Sequence, residues 1–395
     1  MAGDDGALQI VGAGPAGMSV VLALCNRVAS GNGAGRAEQR ILDSLQIWEA
    51  AATPGGKMGH YQINANTSSH DVVQGIADGT PFVELRDEYL RDPETQSRLI
   101  HLPRIEALMV QPLARAMREL LGTRLHCGTM VPLIRLENGG FSSCDPDGHQ
   151  LAHSRGLLLC CGAREVPLPE LEAHAGRWEG SGRFLLRDNL DDLPDGRGPI
   201  VIVGASHSAF SCAWRLLHDP LFAGFAGNRE IVVLKRRERI KLRCTPEFAA
   251  LHGIEYDPET DVCPDTGIVF FSGGLRKDAR HLYLQIRDGE ESRVRIVEMR
   301  SLDEQVDLLD RAGLILQATG FAPNLPRIER DGVEIRVGNP SQNGELHDLA
   351  DGRIVPGLFG MGLGFNILPD DRSRGEPSFA GGIHGFQSYP TAVSY

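Results

Sequence analysis

Gly12, Gly14 and Gly17 stand at G-x-G-x-x-G spacing in Leu8-Gln-Ile-Val-Gly-Ala-Gly-Pro-Ala-Gly17, with an apolar run before them and another, Met18 to Leu24, behind. The chemistry open to such a pattern is the holding of a dinucleotide's pyrophosphate. Gly12 permits a tight turn, Gly14 lets the backbone approach the ligand, and Gly17 lets helix and strand pack closely. The phosphate charge then rests on the unpaired N–H groups of a helix that Pro15 and Ala16 begin. A second strand-like run, Ser44-Leu-Gln-Ile-Trp-Glu49, ends in an acid suited to the ribose hydroxyls of an adenosine. Its distance from the glycines exceeds the roughly 20 residues usual for this arrangement. The glycine-rich stretch 30–36 accounts for the excess as an insertion that leaves the turn unchanged.

Beyond Glu49 comes a loop, residues 50–61, in which Ala50, Gly56, Lys57 and Met58 are expected to run along the same ligand, because ligands of open α/β sheets lie at the carboxyl ends of the strands. The following stretch, 62–70, has many side-chain donors, among them Asn66 and His70, and reads either as a solvated loop or as the lining of a site. Val131 lies in a strand-like segment of the kind on which an adenine rests. The opening pattern recurs at Pro199-Ile-Val-Ile-Val-Gly-Ala-Ser-His-Ser-Ala209, where Gly204 keeps the first glycine and Ser206 and Ala209 take the places of the second and third. A second dinucleotide is expected there, its pyrophosphate on Ser206, His207 and Ser208. The next strand, Glu230-Ile-Val-Val-Leu234, runs into Lys235, Arg236 and Arg237 where the first half has Glu49. Basic groups at that position suit a 2′-phosphate and so favour NADPH over NADH, the alternative being an ordinary solvated turn.

These motifs need elements to carry them. Apolar positions at helical spacing over 101–122 read as a helix packed on a sheet. Residues 125–160 give short strands around turns, a β-meander inserted before the last strand of the first domain. Polar residues with Asp, Gly and Pro over 180–198 mark a crossover. The expected fold is α/β, two Rossmann-like dinucleotide-binding domains with an inserted β-meander: 1–190 for the first part of one, 191–325 for the other, 326–395 returning to the first. A turn within 375–384 before a final helix-like piece is expected to hold the far end of the first ligand. Residues 240–300 read as a substrate loop or lid.

Composition excludes several classes. A net charge of −12 over 395 residues argues against a general nucleic-acid binder. No window approaches the roughly 20 apolar residues that span a bilayer, and a cytoplasmic protein without a membrane partner is expected. The eight cysteines form neither C-x-x-C nor zinc spacing, so neither a metal nor a dithiol relay is expected. The adjacent Cys160 and Cys161 read as buried strand residues.

With Gly12-Ala-Gly-Pro-Ala-Gly17, Glu49, Cys161-Gly-Ala-Arg164, Gly204-Ala-Ser-His-Ser-Ala209 and Ala318-Thr-Gly-Phe-Ala-Pro-Asn324 in this order, the chain resembles the flavoproteins with two dinucleotide-binding domains, the pyridine nucleotide-disulfide oxidoreductase superfamily. Within it, Val203-Gly-Ala-Ser-His-Ser-Ala209 and Ala318-Thr-Gly-Phe321 are most similar to the class B flavin monooxygenases, especially the lysine and ornithine N-hydroxylases. Ser206 and His207 depart from that group's G-x-G-Q-S-A, and Gly360-Met-Gly362 lacks the acid of the disulfide reductases' closing motif. The resemblance implies FAD on the first turn and NADPH on the second, with Cys161, Gly162, Thr319, Gly320, Gly360 and Met361 also at the cofactors. It implies hydride transfer from NADPH to FAD, reaction with O₂ to a flavin hydroperoxide, and oxygen transfer to a small amine or amino-acid-like substrate. Asn66 and His70 are then candidates beside the flavin, an amide to hydrogen-bond a peroxide and an imidazole to move its proton; His70 serves equally as a helix cap. Enzymes of this resemblance often form homo-oligomers. An NAD(P)H-dependent FAD oxidoreductase without oxygen insertion and a non-catalytic flavoprotein are the alternatives.

Overall fold

Each glycine turn ends a strand whose side chains are almost wholly buried. Ile10 and Val11 are buried in β1 (Gly6–Val11), and all four residues of Ile200–Val203 are buried in the strand before the second turn. Strands covered on both faces read as continuous apolar runs, which is why both stand out in the sequence. The structure is a computed structural model and describes residues 6–31, 35–96, 99–236, 239–271, 273–338, 344–367 and 381–382.

The first sheet takes β1, β2 (Gln46–Glu49), β3 (Leu125–Cys127), β4 (Leu133–Glu137), β5 (Gly140–Cys144) and β6 (Gln150–Leu159). β1 lies parallel between β2 and β6, with β3 parallel outside β2. The expected meander is β4-β5-β6, antiparallel throughout. Its first hairpin turns on Asn138 at φ 52° and Gly139 at φ 73°, the backbone that joins right-twisted strands in a two-residue loop. Gln9, fully buried at the sheet centre, is satisfied on every side: its amide donates to Phe141 O and Ser154 Oγ and accepts from Trp48 Nε1.

A two-stranded antiparallel ribbon, β7 (Ala163–Glu165) with Phe321–Pro323, joins the halves. The second sheet is all parallel: β8 (Trp178–Gly180), β9 (Ile200–Val203), β10 (Ile231–Lys235), β11 (Val294–Glu298) and β12 (Leu314–Gln317) in the order β11-β10-β9-β12-β8. β8 lies upstream of the boundary expected at residue 190, because three residues, Trp178-Glu-Gly180, are too few to show a strand pattern. The chain then returns to the first sheet, with Arg327–Arg330 parallel on β4 and Ile354–Gly360 parallel on β6.

The helix expected over 101–122 is present but broken. Leu102–Ile105 passes into a π-helical turn, Glu106–Val110, and then into Gln111–Leu121. Pro112 has no N–H to give Leu108; the wider turn avoids the need for it, with Gln111 N–H donating to Glu106 O five residues back. Among the described residues no helix is long and apolar enough to cross a membrane. The turn expected within 375–384 lies, but for Gly381 and Gly382, outside the described residues.

Candidate functional site

At the first turn Gly12 has φ 103°, and a Cβ there would sit 2.2 Å from the Cys160 carbonyl oxygen; a Cβ on Gly17 would sit 2.1 Å from Gly12 O. The protein itself demands these two glycines. Gly14 is different. A Cβ there would meet nothing closer than Gly56 Cα at 3.6 Å, so the fold has room for one. Its absence leaves open the N-terminus of the helix Pro15–Ala29, which has no capping side chain and no acid in its first turn. The helix therefore offers its first N–H groups with no acid of its own first turn in competition, which fits a pyrophosphate.

Glu49 closes the turn from the next strand, its carboxylate accepting from Ala13 N at 2.7 Å and Ala51 N at 2.8 Å. Gly55 N–H donates to Ala13 O, laying the 50–61 loop on the turn. Ala50, Gly56 and Lys57 are exposed on it, while Met58 packs against the first core. Val131 is buried with Val11 and Trp48, and Gly128 and Thr129 bond to Ala51 O and Glu49 O, so this strip borders the same end of the sheet. Cys160 and Cys161 lie just past β6 and not within it; Cys160 is buried and Cys161 half-buried. Burial pushes the Cys160 thiol well up and that of Cys161 to about 12, which leaves both protonated at neutral pH. Gly162 is exposed beside them, and Met361 N–H donates to Leu159 O, bringing Gly360 and Met361 to the same strand ends.

The second turn repeats the construction. Gly204 has φ 122°, and its Cβ would sit 2.2 Å from Ala318 O. Ser206 is the exposed N-cap residue of His207–His218, a helix with no side-chain cap bond and no acid in its first turn. Ser208 is half-buried in that turn. The His207 ring is held by the protein itself, its Nε2 donating to Gly274 O at 3.0 Å, which leaves its place at the start of the helix as the part that would meet a pyrophosphate. Thr319 Oγ accepts from Gln317, and Gly320 is exposed beside it. Arg236 is exposed after β10; Arg237 lies outside the described residues.

Loop 62–70 is neither purely solvated nor purely lining. Gln62 N–H donates to Leu185 O, Tyr61 and Ile63 pack on the second core, and Asn64 Nδ2 donates to Asp278 Oδ2 at 2.8 Å. The loop thus bridges the two halves. Asn66 and His70 are exposed on it, and the cap of Ser69–Val73 is Ser68, whose Oγ accepts from Asp71 N–H, and not His70.

Glu106 escaped the sequence reading. Its carboxylate lies against the glycine loop, 2.1 Å from where a Gly59 Cβ would be. Gln111 Nε2 donates to one oxygen, while Oε2 is buried without a hydrogen-bond partner among the described residues. The one available signal was Pro112 within an apolar-periodic helix, which forces the π-turn that turns Glu106 toward the loop.

No protein-family model matches the sequence. The chain is 28% identical over 428 aligned positions, spanning 97% of it and 94% of the relative, to a CMP-5′-(3-aminopropyl)phosphonate hydroxylase from Streptomyces rubellomurinus. Its fold matches a flavin-containing monooxygenase from Stenotrophomonas maltophilia with a TM-score of 0.56 at 15% identity, over 98% and 96% of the two chains. An L-lysine 6-monooxygenase from Pseudomonas syringae matches equally, TM-score 0.56 at 18% identity over 98% and 96%. The two-domain fold is that of the flavin monooxygenases, as the order of the motifs implied.

Proposed function

We propose that this chain is an FAD- and NADPH-dependent monooxygenase that N-hydroxylates the amine of a small molecule. What carries the reading is that both uncapped glycine turns, one ended by Glu49 and one by Arg236, occur in a chain similar along nearly its whole length to a hydroxylase. Gly12, Gly14, Pro15, Ala16 and Gly17 would hold the FAD pyrophosphate and Glu49 its ribose, with Gly56, Lys57, Met58, Val131, Gly162 and Met361 along the cofactor. Gly204, Ser206 and Ser208 would hold the NADPH pyrophosphate, and Arg236 with Arg237 its 2′-phosphate. FAD, when bound, would supply the acceptor for the hydride of NADPH and the means of activating O₂. The protein's part is to bind, orient and keep water out. Asn66 would supply an amide and His70 a transferable proton from the exposed face of the loop that bridges the halves.

The net reaction is R–NH₂ + O₂ + NADPH + H⁺ → R–NHOH + H₂O + NADP⁺. The named relative's substrate carries a primary amine, and it is that group we carry over to this chain. The test is to reduce the purified holoprotein anaerobically with NADPH, then admit ¹⁸O₂ with candidate amines. A hydroxylamine bearing one ¹⁸O supports the reading. NADPH oxidation with an oxidised or reduced product that lacks ¹⁸O points to an oxidoreductase without oxygen insertion, and a flavin that NADPH fails to reduce points to a non-catalytic flavoprotein.

A further inference from the structure

The ribbon that joins the halves has strands of only three residues, and two bodies on such a joint turn about it unless further contacts fix their angle. Residues 55–65 supply those contacts. They start on the first turn, where Gly55 N–H donates to Ala13 O and Gly56 is so close that a Cβ on it would sit 3.1 Å from Gly14 Cα. Farther on they stay bound to the first half. Leu102 N–H donates to Ile63 O at 2.9 Å and Ala65 N–H to Ile100 O at 2.8 Å, on either side of the bridge between Asn64 and His101. These bonds fix where the Asn64 side chain begins. From there its Nδ2 crosses to the second half and donates to Asp278 Oδ2 at 2.8 Å, a half-buried bond between residues 214 apart in sequence.

Asp278 stands in the first turn of the helix Lys277–Arg287. Just upstream, Gly274 O accepts from His207 Nε2, and His207 opens the helix that follows the second turn. Gly274 is fixed in place, since a Cβ on it would sit 2.3 Å from Arg243 N and 2.7 Å from Phe270 O. The two helices pack as one body, with Tyr283 edge-on to Phe210 at 5.9 Å between ring centroids. A continuous path therefore runs from the first turn through Asn64, Asp278, Gly274 and His207 to the second. Gln62 N–H to Leu185 O is a separate attachment, on the helix Ser181–Leu186. Two points of attachment define an angle, where one defines only a distance, and the Asn64 bond is of the strong, charge-assisted kind.

We propose that the Asn64–Asp278 bond is a positioning contact for hydride transfer: it sets the angle of the NADPH half against the FAD half, and with it the approach of one cofactor to the other. This rests on the monooxygenase reading only for NADPH as the reductant of FAD. Neither residue belongs to a glycine turn or to the strand ends beside it, so the pair acts on the rate of transfer and not on the holding of either cofactor. The rate is the sensitive quantity, because a misplacement of about 1 Å between reacting groups costs about a hundred-fold.

The test is anaerobic stopped-flow reduction of the FAD-loaded protein by saturating NADPH, beside its affinity for NADP⁺. Asn64→Leu removes the donor, and Asn64→Asp sets two carboxylates face to face. Each should slow reduction about ten-fold or more, with NADP⁺ affinity and flavin content within about two-fold of wild type. Adding Asp278→Asn to Asn64→Asp restores an amide–carboxylate bond with the partners exchanged, and the rate should return to within about three-fold of wild type. Hydrogen exchange without NADPH gives a readout apart from turnover: the amides of 61–66 and 277–281 should exchange about ten-fold faster in the single variants and recover in the double. Should Asn64→Asp fail to fold, Asn64→Leu and the double variant carry the test. Reduction of Asn64→Leu within about two-fold of wild type overturns the proposal. So does an equal loss of NADP⁺ affinity, or a folded double variant that does not recover. Loss and recovery of the rate in a protein that forms no hydroxylamine overturns the monooxygenase reading and leaves the positioning contact standing; a wild type that NADPH does not reduce overturns both.

Discussion

The two glycine turns share one backbone plan around Gly12 and Gly204 and differ at the helix N-terminus, at the strand end and in what buttresses them. In each, the turn glycine donates to the neighbouring strand, Gly12 to Trp48 O at 2.8 Å and Gly204 to Leu234 O at 2.9 Å. In each, the residue facing that glycine donates back to the central strand at 2.7 Å, Cys160 to Val11 O and Ala318 to Val203 O. In each, the turn glycine presses on that residue's carbonyl at 2.2 Å from its absent Cβ. The differences are Gly14 against Ser206, Gly17 against Ala209, and Glu49 against the Lys235–Arg236 end. Gly12, Gly204 and Gly17 answer to the backbone, while Gly14 against Ser206 and Glu49 against the Lys235–Arg236 end lie at helix N-terminus and strand end, where a dinucleotide's phosphates and ribose would lie. The buttress differs as well: Glu106 and the glycine loop lean on the first turn, and Gly274 on the second through His207.

The largest effect should come from the positions the turns share. Gly12→Ala and Gly204→Ala force a Cβ into a carbonyl at positive φ and should each cost about 2–4 kcal/mol. They should part in their ligands. Gly12→Ala is expected to purify with little flavin, whereas Gly204→Ala, where folded, keeps flavin and loses reduction by NADPH. Thermal melts with absorbance spectra check both, and a Gly12→Ala protein of wild-type melting temperature and flavin content would break the symmetry.

A sharper cut separates space the fold needs from space kept for a ligand. Gly14→Ala should change the stability of the flavin-free protein by less than about 0.5 kcal/mol, because a Cβ there has only Gly56 Cα at 3.6 Å. Flavin affinity should fall about ten-fold or more, since the new methyl group stands where a pyrophosphate approaches. Ser206→Ala, at the matching place, should weaken NADPH about ten-fold with no change in flavin content, one hydrogen bond to a charged phosphate being worth about 1.5–3 kcal/mol. Fluorescence titration with each cofactor measures the pair. A Gly14→Ala variant that unfolds without ligand would mean that the glycine serves the fold after all.

How much of this was legible follows from the same distinction. Gly12, Gly17 and Gly204 were readable because no other residue fits such backbone, and the apolar runs of β1 and β9 because strands covered on both faces carry no polar alternation. The ribbon of Ala163–Glu165 with Phe321–Pro323 and the strand Trp178–Gly180 were not. Three residues carry no period, and their pairing is set by chain far away in sequence. Glu106 was hidden because one acid in an amphipathic helix reads as a solvated position until Pro112 widens the turn. Asn64 was passed over for Asn66 because a polar loop does not reveal which of its amides meets the other half; only the contact with Asp278 does.

At the strand ends a smaller effect should appear in cofactor choice. Arg236→Ala is expected to lower the preference for NADPH over NADH by about ten-fold, the loss of one charge-assisted contact to a phosphate, with flavin content unchanged. Steady-state reduction of the flavin by each nucleotide reads it. An unaltered ratio would make Arg236 the solvated turn residue of the plainer reading, and the contrast with Glu49 would lose its meaning.

The smallest effect should come from making the turns more alike. Gly12 meets the Cys160 backbone and Gly204 that of Ala318, so Cys160→Ala gives the first turn the side chain of the second. Only a buried sulfur is removed, and the cost should be about 1 kcal/mol, set by the small cavity left. Burial holds the Cys160 thiol well above its ordinary pKa and that of Cys161 at about 12. Neither is a thiolate at neutral pH, and neither should react readily with iodoacetamide there. Cys160→Ala and Cys161→Ser should therefore keep NADPH-driven flavin reduction within about two-fold of wild type, as expected where the thiolate plays no part. A dithiol relay would lose turnover in either variant. Retained turnover, together with slow alkylation in the wild type, assigns the pair to packing and leaves the two turns as one backbone design with different ligand ends.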